Sequence, residues 1–165
     1  SVVAVACVLV LAGGCAYLNT YYNASLSYST AREEHQKLTN ASRDTTPALP
    51  PKITAGYDTA ISKSLKVLQY YPRDVKWHDD AVFLIARSLF YKGEYQRSQR
   101  RFRQIIEEYP ASPFVQQAWL YLGKAYLNDD NLGKAEETFS LILARYPQLN
   151  RNQEVSILLD RKSVV

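Results

Sequence analysis

Two histidines, two cysteines and a few paired acids are the residues of this 165-residue sequence whose chemistry could go beyond packing. His35 and His78 stand apart in the sequence, with no His-Glu-x-x-His, no cysteine pair and no acidic cluster at ligand spacing, so no metal site is expected. The six glycines form no phosphate-cradling loop, and no Gly-x-Ser-x-Gly elbow is present, so neither a catalytic residue nor a cofactor is expected. Asp79-Asp80 falls at a predicted helix start, where the helix dipole favours acids, and Asp129-Asp130 in a turn between helices; both pairs read as structural. Arg97, Arg100, Arg101 and Arg103 form the one charge cluster and alternate with apolar positions of a helix. They read as a solvated outer face, with contact to acidic protein or anionic headgroups as the functional alternative.

Composition supports one folded module. Hydrophobic residues make up 47% of the chain, charged residues 22% and aromatics 12%, enough to bury a core. The net charge of +4, from 20 basic and 16 acidic residues, is too small and dispersed for nucleic acid to be expected as a partner. Cys7 and Cys15 both lie in the first fifteen residues, so there is no disulfide framework and the rest of the chain is free of thiols.

Residues 1–14 (SVVAVACVLVLAGG) are uncharged and strongly apolar, shorter than the about 20 residues of a membrane span, and end in small residues. They read as an export signal; no Met or basic residue precedes them, so the chain is expected to begin inside that signal. Leu11-Ala12-Gly13-Gly14-Cys15 resembles a bacterial lipobox, with its Leu one position earlier than such boxes usually have it. The resemblance implies acylation of Cys15, and Ala16 after it implies an anchor in the outer membrane of a Gram-negative bacterium, facing the periplasm. At the other end, Asp160–Val165 (DRKSVV) fits no helix pattern and back-translates to the opening of a common sequencing adapter, so a non-native tail is expected there, with the natural protein continuing beyond Leu159.

The elements between these ends repeat. Tyr-Pro recurs at Tyr71-Pro72, Tyr109-Pro110 and Tyr146-Pro147, spacings of 38 and 37 residues, and the same shift carries Ala60 to Ser98 to Ala135 and Tyr57 to Tyr95 to Leu132. The last full unit fills the tetratricopeptide pattern with Trp119, Leu122, Gly123, Tyr126, Ala135, Phe139 and Pro147. Gly123 and Ala135 are small where the two helices of a pair cross, and the large residues fill the space between pairs. The unit before it is a degenerate copy with Val82, Ile85, Ala86, Leu89, Ser98, Phe102 and Pro110. Ser112-Pro113 supplies an N-cap and a first-turn proline for the helix bearing Trp119. Tyr95, Ser98, Phe102, Ile105, Ile106 and Tyr109 form a period-3.6 stripe on the preceding helix.

Upstream, 53–71 reads as the second helix of an earlier unit, and Tyr17, Tyr21, Ala24, Tyr28, Ala31 and Leu38 mark a helix of about twenty residues before a proline-bearing loop at 40–52. Residues 152–159 read as the start of a further helix. The expected fold is all-α, a helix-turn-helix superhelix of tetratricopeptide type. Its organisation is a partial signal at 1–14, a lipidated Cys with first helix and loop at 15–52, repeats at 53–159 and a non-native tail at 160–165.

In such a superhelix the first helices line the concave groove. Register places Phe83, Arg87, Phe90 and Tyr91 there, with Leu120, Lys124 and Asn128 from the next unit. Arg87 and Lys124 share a register position, so the groove would set aligned positive charges beside aromatic and aliphatic surface, suited to an extended or helical peptide carrying a carboxylate.

The lipobox-like Cys15, the helix beginning Ala16-Tyr17-Leu18-Asn19-Thr20-Tyr21-Tyr22-Asn23-Ala24 and the units ending in Tyr-Pro together resemble the outer-membrane assembly lipoproteins of the BamD (YfiO) type. That resemblance implies a non-enzymatic periplasmic scaffold, whose partners are the outer-membrane assembly machinery or its substrates. Two other readings stay open: an envelope lipoprotein organising peptidoglycan or polysaccharide export, and the repeat region of a peptidoglycan-acting enzyme whose catalytic domain lies elsewhere.

Overall fold

The computed structural model describes residues 2–41, 48–70, 77–150 and 154–160, with the side chains of 2–18, 154 and 159 left aside. Seven α-helices are described: α1 (Val2–Ala41), α2 (Pro51–Tyr70), α3 (His78–Tyr91), α4 (Tyr95–Glu108), α5 (Val115–Asn128), α6 (Leu132–Arg145) and α7 (Glu154–Asp160). A 3₁₀ turn at Pro147–Asn150 precedes α7. There is no strand among the described residues, and the all-α class with adjacent packed helices is the one expected. The chain divides into two compact units, Ser1–Leu84 and Ile85–Val165.

In the first unit α1 and α2 pack antiparallel. Lys52 Nζ meets Glu34 Oε1 at 2.5 Å, the Tyr57 ring lies 6.0 Å from that of Tyr28, and Tyr21 packs against the cluster of Val67 and Ala81. Partner numbers fall along α1 as they rise along α2. The helices approach closely where both carry small side chains: a Cβ on Gly56 would stand 2.8 Å from that of Ala31. The expected α1 stripe is seated accordingly, with Ala24, Tyr28 and Ala31 buried, while the side chain of Tyr17 lies outside the described residues. Tyr57, Ala60 and Val67 of α2 are also buried. Helix α1 is longer than the expected twenty residues and runs through Cys15, because no proline interrupts it before Pro47.

The second unit repeats its turns as well as its helices. After α3, Glu94 N–H donates to Leu89 O (2.9 Å) and Gly93 N–H to Phe90 O (3.0 Å), a Schellman closure with Gly93 at φ +81°. After α5, Asn131 N–H donates to Tyr126 O (2.9 Å) and Asp130 N–H to Leu127 O (3.3 Å), the same closure 37 residues on, with Asp130 at φ +54°. The turns within the helix pairs therefore fall at 92–94 and 129–131, the second where Asp129-Asp130 was expected to lie between helices. The Tyr-Pro closures repeat too: Tyr109 N–H donates to Ile105 O and Tyr146 N–H to Ile142 O, and each tyrosine's carbonyl then accepts from the residue three on, Ser112 or Leu149, at 2.9 Å. Proline in the second position of that four-residue turn ends the helix without a missing hydrogen bond. Tyr71-Pro72 lies outside the described residues.

Two expectations shift in detail. Helix α5 begins at Val115 with Phe114 at its N-cap and no side-chain cap, so Ser112 does not cap it as expected; the Ser112 hydroxyl accepts the Phe114 N–H at 3.1 Å in the turn just before the helix. Helix α7 takes in Asp160, the first residue of the expected non-native tail; residues 161–165 lie outside the described residues. No helix among the described residues is long and apolar enough to cross a membrane.

Candidate functional site

Tyr121, not among the residues expected at the groove, is the hub of the second unit's first-helix face. Its ring stacks on Phe102 (5.4 Å between centroids, 14° between planes) and takes the edges of Phe90 (5.3 Å) and Tyr91 (6.2 Å). Its hydroxyl is 3.0 Å from that of Tyr91. Two cations rest on the same ring, the Arg87 guanidinium and the Lys124 ammonium, each 5.6 Å from its centroid. Phe90 ties the cluster to α4 through an edge contact with Tyr95 at 5.7 Å.

Helical spacing explains the convergence. Arg87, Phe90 and Tyr91 fall within one turn of α3, and Tyr121, Lys124 and Asn128 recur on one face of α5 at intervals of three and four. Burial of Tyr121, then the hydrogen bond and charge of Tyr91, push its phenol up to about 12, while Arg87 pulls the other way. The phenol therefore stays a neutral donor throughout physiological pH. The arrangement offers half-buried tyrosine and phenylalanine surface with two positive charges spaced one helix apart, chemistry for holding an apolar side chain beside a carboxylate.

The structure thus brings Arg87, Phe90, Tyr91 and Lys124 together. Leu120 is half-buried and Asn128 exposed on α5, flanking the cluster. Phe83 departs from expectation: it is only 5% exposed and falls in the first unit, so it packs a core and leaves the groove set. Tyr121 was missed because its register partner is Leu84, an ordinary core residue, so the repeat comparison gave no signal there. Its spacing of three from Lys124 was the available cue.

The signature residues of the last unit sit behind this face. A Cβ on Gly123 would stand 2.5 Å from Cε1 of Phe139, and Leu122, Tyr126, Ala135 and Phe139 are buried. Trp119 is only half-buried: it joins Leu122 and Tyr126 on the floor of a cleft of about 300 Å³ between α4 and α6, with Arg103 on its wall, so it does not simply fill the space between pairs. Pro147 is exposed in its turn. Buried Gln99 also lay outside the expected stripe. Its amide donates to Asp129 Oδ2 at 3.1 Å, tying α4 to the turn after α5 and giving Asp129 the structural role expected of it.

Charge elsewhere is distributed over surface pairs. Arg97 bonds Glu94, Arg101 donates to Gln104 Oε1 at 2.8 Å, and Arg100 and Arg103 are exposed. Burial works against the charge on Glu94, but Lys92 and Arg97 hold its carboxyl below the ordinary range. His35 Nδ1 lies 3.1 Å from the Tyr57 hydroxyl, and burial, then Arg32, lower its pKa, which favours the neutral ring. The described residues hold no group of His, Cys, Asp and Glu that could bind a metal ion. Asp80 corrects the reading from the helix dipole: burial first, then the charge of Asp79, push its carboxyl up to about 6, against bonds from its own backbone and Tyr21. The side chain of Cys15 lies outside the described residues.

Comparison with curated proteins gives no match. A family model described as tetratricopeptide repeat matches residues 83–150, the stretch that holds both repeated turns and the Tyr121 cluster. Over residues 83–150 the chain is thus similar to tetratricopeptide repeats, a helix-turn-helix unit that commonly serves protein–protein interaction.

Proposed function

We propose that this chain is a non-enzymatic periplasmic scaffold, anchored in the outer membrane by a lipid on Cys15, that captures polypeptide partners on its first-helix face during outer-membrane protein assembly. One observation carries the capture site: two cations and the rings of Phe90 and Tyr91 converge on Tyr121 on neighbouring first helices, with Phe102 of α4 stacked behind it. Such a surface suits a peptide that presents an apolar side chain and a carboxylate. The anchor is supported by the uncharged apolar run that meets Cys15 and by the resemblance of that junction to a lipobox. The assembly role is supported by the Tyr-Pro helix closures together with the residues following Cys15.

Fractionation tests the anchor and co-purification tests the role. Acyl label should enter the parent protein, and Cys15→Ser should move it from membranes to the soluble periplasm; unlabelled parent and unchanged retention contradict the anchor. Mass spectrometry of proteins held by the tagged, full-length parent should return outer-membrane assembly components or their substrates. Recovery of peptidoglycan or polysaccharide-export proteins instead contradicts the assembly role.

A further inference from the structure

The end of the α1–α2 hairpin nearest Cys15 exposes large side chains that nothing in its own unit covers. Tyr22 is 64% exposed, Tyr70 65% and Leu26 50%. Antiparallel pairing brings Tyr22 and Tyr70 to the same end, with Leu26 further along the hairpin: Glu34 meets Lys52 at the far end, while Tyr21 and Leu68 pack against Val67 and Ala81 at this one. They also share a side. Leu26 and Thr59 line one shallow cleft, and Lys63, Lys66 and Tyr70 follow Thr59 at helical spacing. The two hairpin acids on α1, Glu33 and Glu34, lie at the far end.

The sequence around this patch is unusual in the same sense. In a chain that is 22% charged, residues 1–31 carry no charged side chain, and Asn19, Asn23, Ser25, Ser27, Ser29 and Thr30 supply only neutral hydrogen-bonding groups between the tyrosines. Tyr22 lies seven residues beyond Cys15 in one unbroken helix, about 10 Å at 1.5 Å per residue. Tyrosines with an apolar body and a polar tip, next to lysines, are the side chains that settle at the headgroup level of a bilayer; of the nearby acids, Asp58 precedes Lys63 on α2 and Asp80 is hydrogen-bonded to Tyr21.

We infer that this hairpin end, with Tyr22 and Tyr70 as its contacts and Lys63 and Lys66 as its charges, rests on the membrane surface and binds anionic phospholipid headgroups. The inference deepens the proposed anchoring at Cys15 and rests on it: the lipid tethers the chain, and the hairpin end sets how it meets the bilayer.

Full-length protein in phosphatidylethanolamine–phosphatidylglycerol vesicles with brominated acyl chains tests this. Tyr22→Trp and Tyr70→Trp should each add quenching, beyond the parent's, at least twofold that added by Gln36→Trp on the far end. In unacylated Cys15→Ser protein, partitioning onto the same vesicles should persist, fall with salt, and weaken about fivefold on Lys66→Gln. Acylated protein whose Tyr22→Trp and Tyr70→Trp variants quench no more than the control overturns the inference and leaves the anchor intact. Unacylated parent with the quenching pattern retained overturns the anchor and supports the surface. A second copy of the chain on this face would appear as a vesicle-free dimer broken by Tyr22→Asp or Tyr70→Asp, and that too would overturn it.

Discussion

Asp80 shows how far one residue's environment can reverse a rule read from sequence. An acid at a helix start should be stabilised as an anion, yet burial and Asp79 raise its carboxyl to about 6. The folded state therefore holds this proton more tightly than the unfolded chain, whose aspartate titrates near 4. The associated stability is complete below about 4 and is lost as pH rises through about 6. Asp80→Asn should raise stability at pH 7–8 by about 1 kcal/mol, a value discounted for the half-exposed carboxyl, and should flatten the melting midpoint between pH 4 and 7. Denaturant titration of both proteins at several pH values checks it; a variant less stable than the parent at pH 8 would show that the anion is favoured. His35 acts in the opposite sense, since its lowered pKa makes stability fall as pH drops through the unfolded value near 6.5.

At the scale of elements, the same 37-residue shift relates sequence, helices and backbone turns, and the turns can be tested singly. Gly93 and Asp130 hold the same left-handed position, which costs a non-glycine residue roughly 1 kcal/mol. Asp130→Gly should therefore leave stability unchanged or raise it by up to about 1 kcal/mol, whereas Gly93→Asp should lower it; equal losses from both would contradict the shared closure. Gly123→Leu should be severe, destabilising by about 1–3 kcal/mol or more, because Phe139 already occupies the space where its Cβ would stand. Gly133→Ala, with open space around it on α6, should be neutral or mildly stabilising, and a comparable loss there would mean that helix propensity rather than the crossing is being measured. Much of this was legible because glycine, proline and the paired tyrosines carry their conformational constraints in their chemistry. The extent of α1 and the buried amide of Gln99 were not, since the first depends on nothing stopping the helix and the second on a partner 30 residues away.

For the whole molecule, the aligned Arg87 and Lys124 could be read from the repeat, but their meeting place could not. Tyr121 occupies a position where the preceding unit has buried Leu84, so only packing against Phe102, Phe90 and Tyr91 makes it the hub. Phe83 erred the other way, an aromatic at groove register that the core takes up. A surface of this kind concentrates binding energy in a few aromatic and arginine anchors, while exposed arginines on α4 steer encounter more than they hold a complex. The decisive measurement is partner capture by the tagged, full-length protein carrying either Arg87→Ala, Tyr91→Ala or Tyr121→Ala on the first-helix face, or Arg97→Gln, Arg100→Gln and Arg101→Gln together on α4. Each first-helix variant should weaken capture by about 1–3 kcal/mol, and the α4 triple should alter mainly the salt dependence of association. Normal capture by all three first-helix variants, with capture abolished in the α4 triple, would place the binding surface on the opposite face.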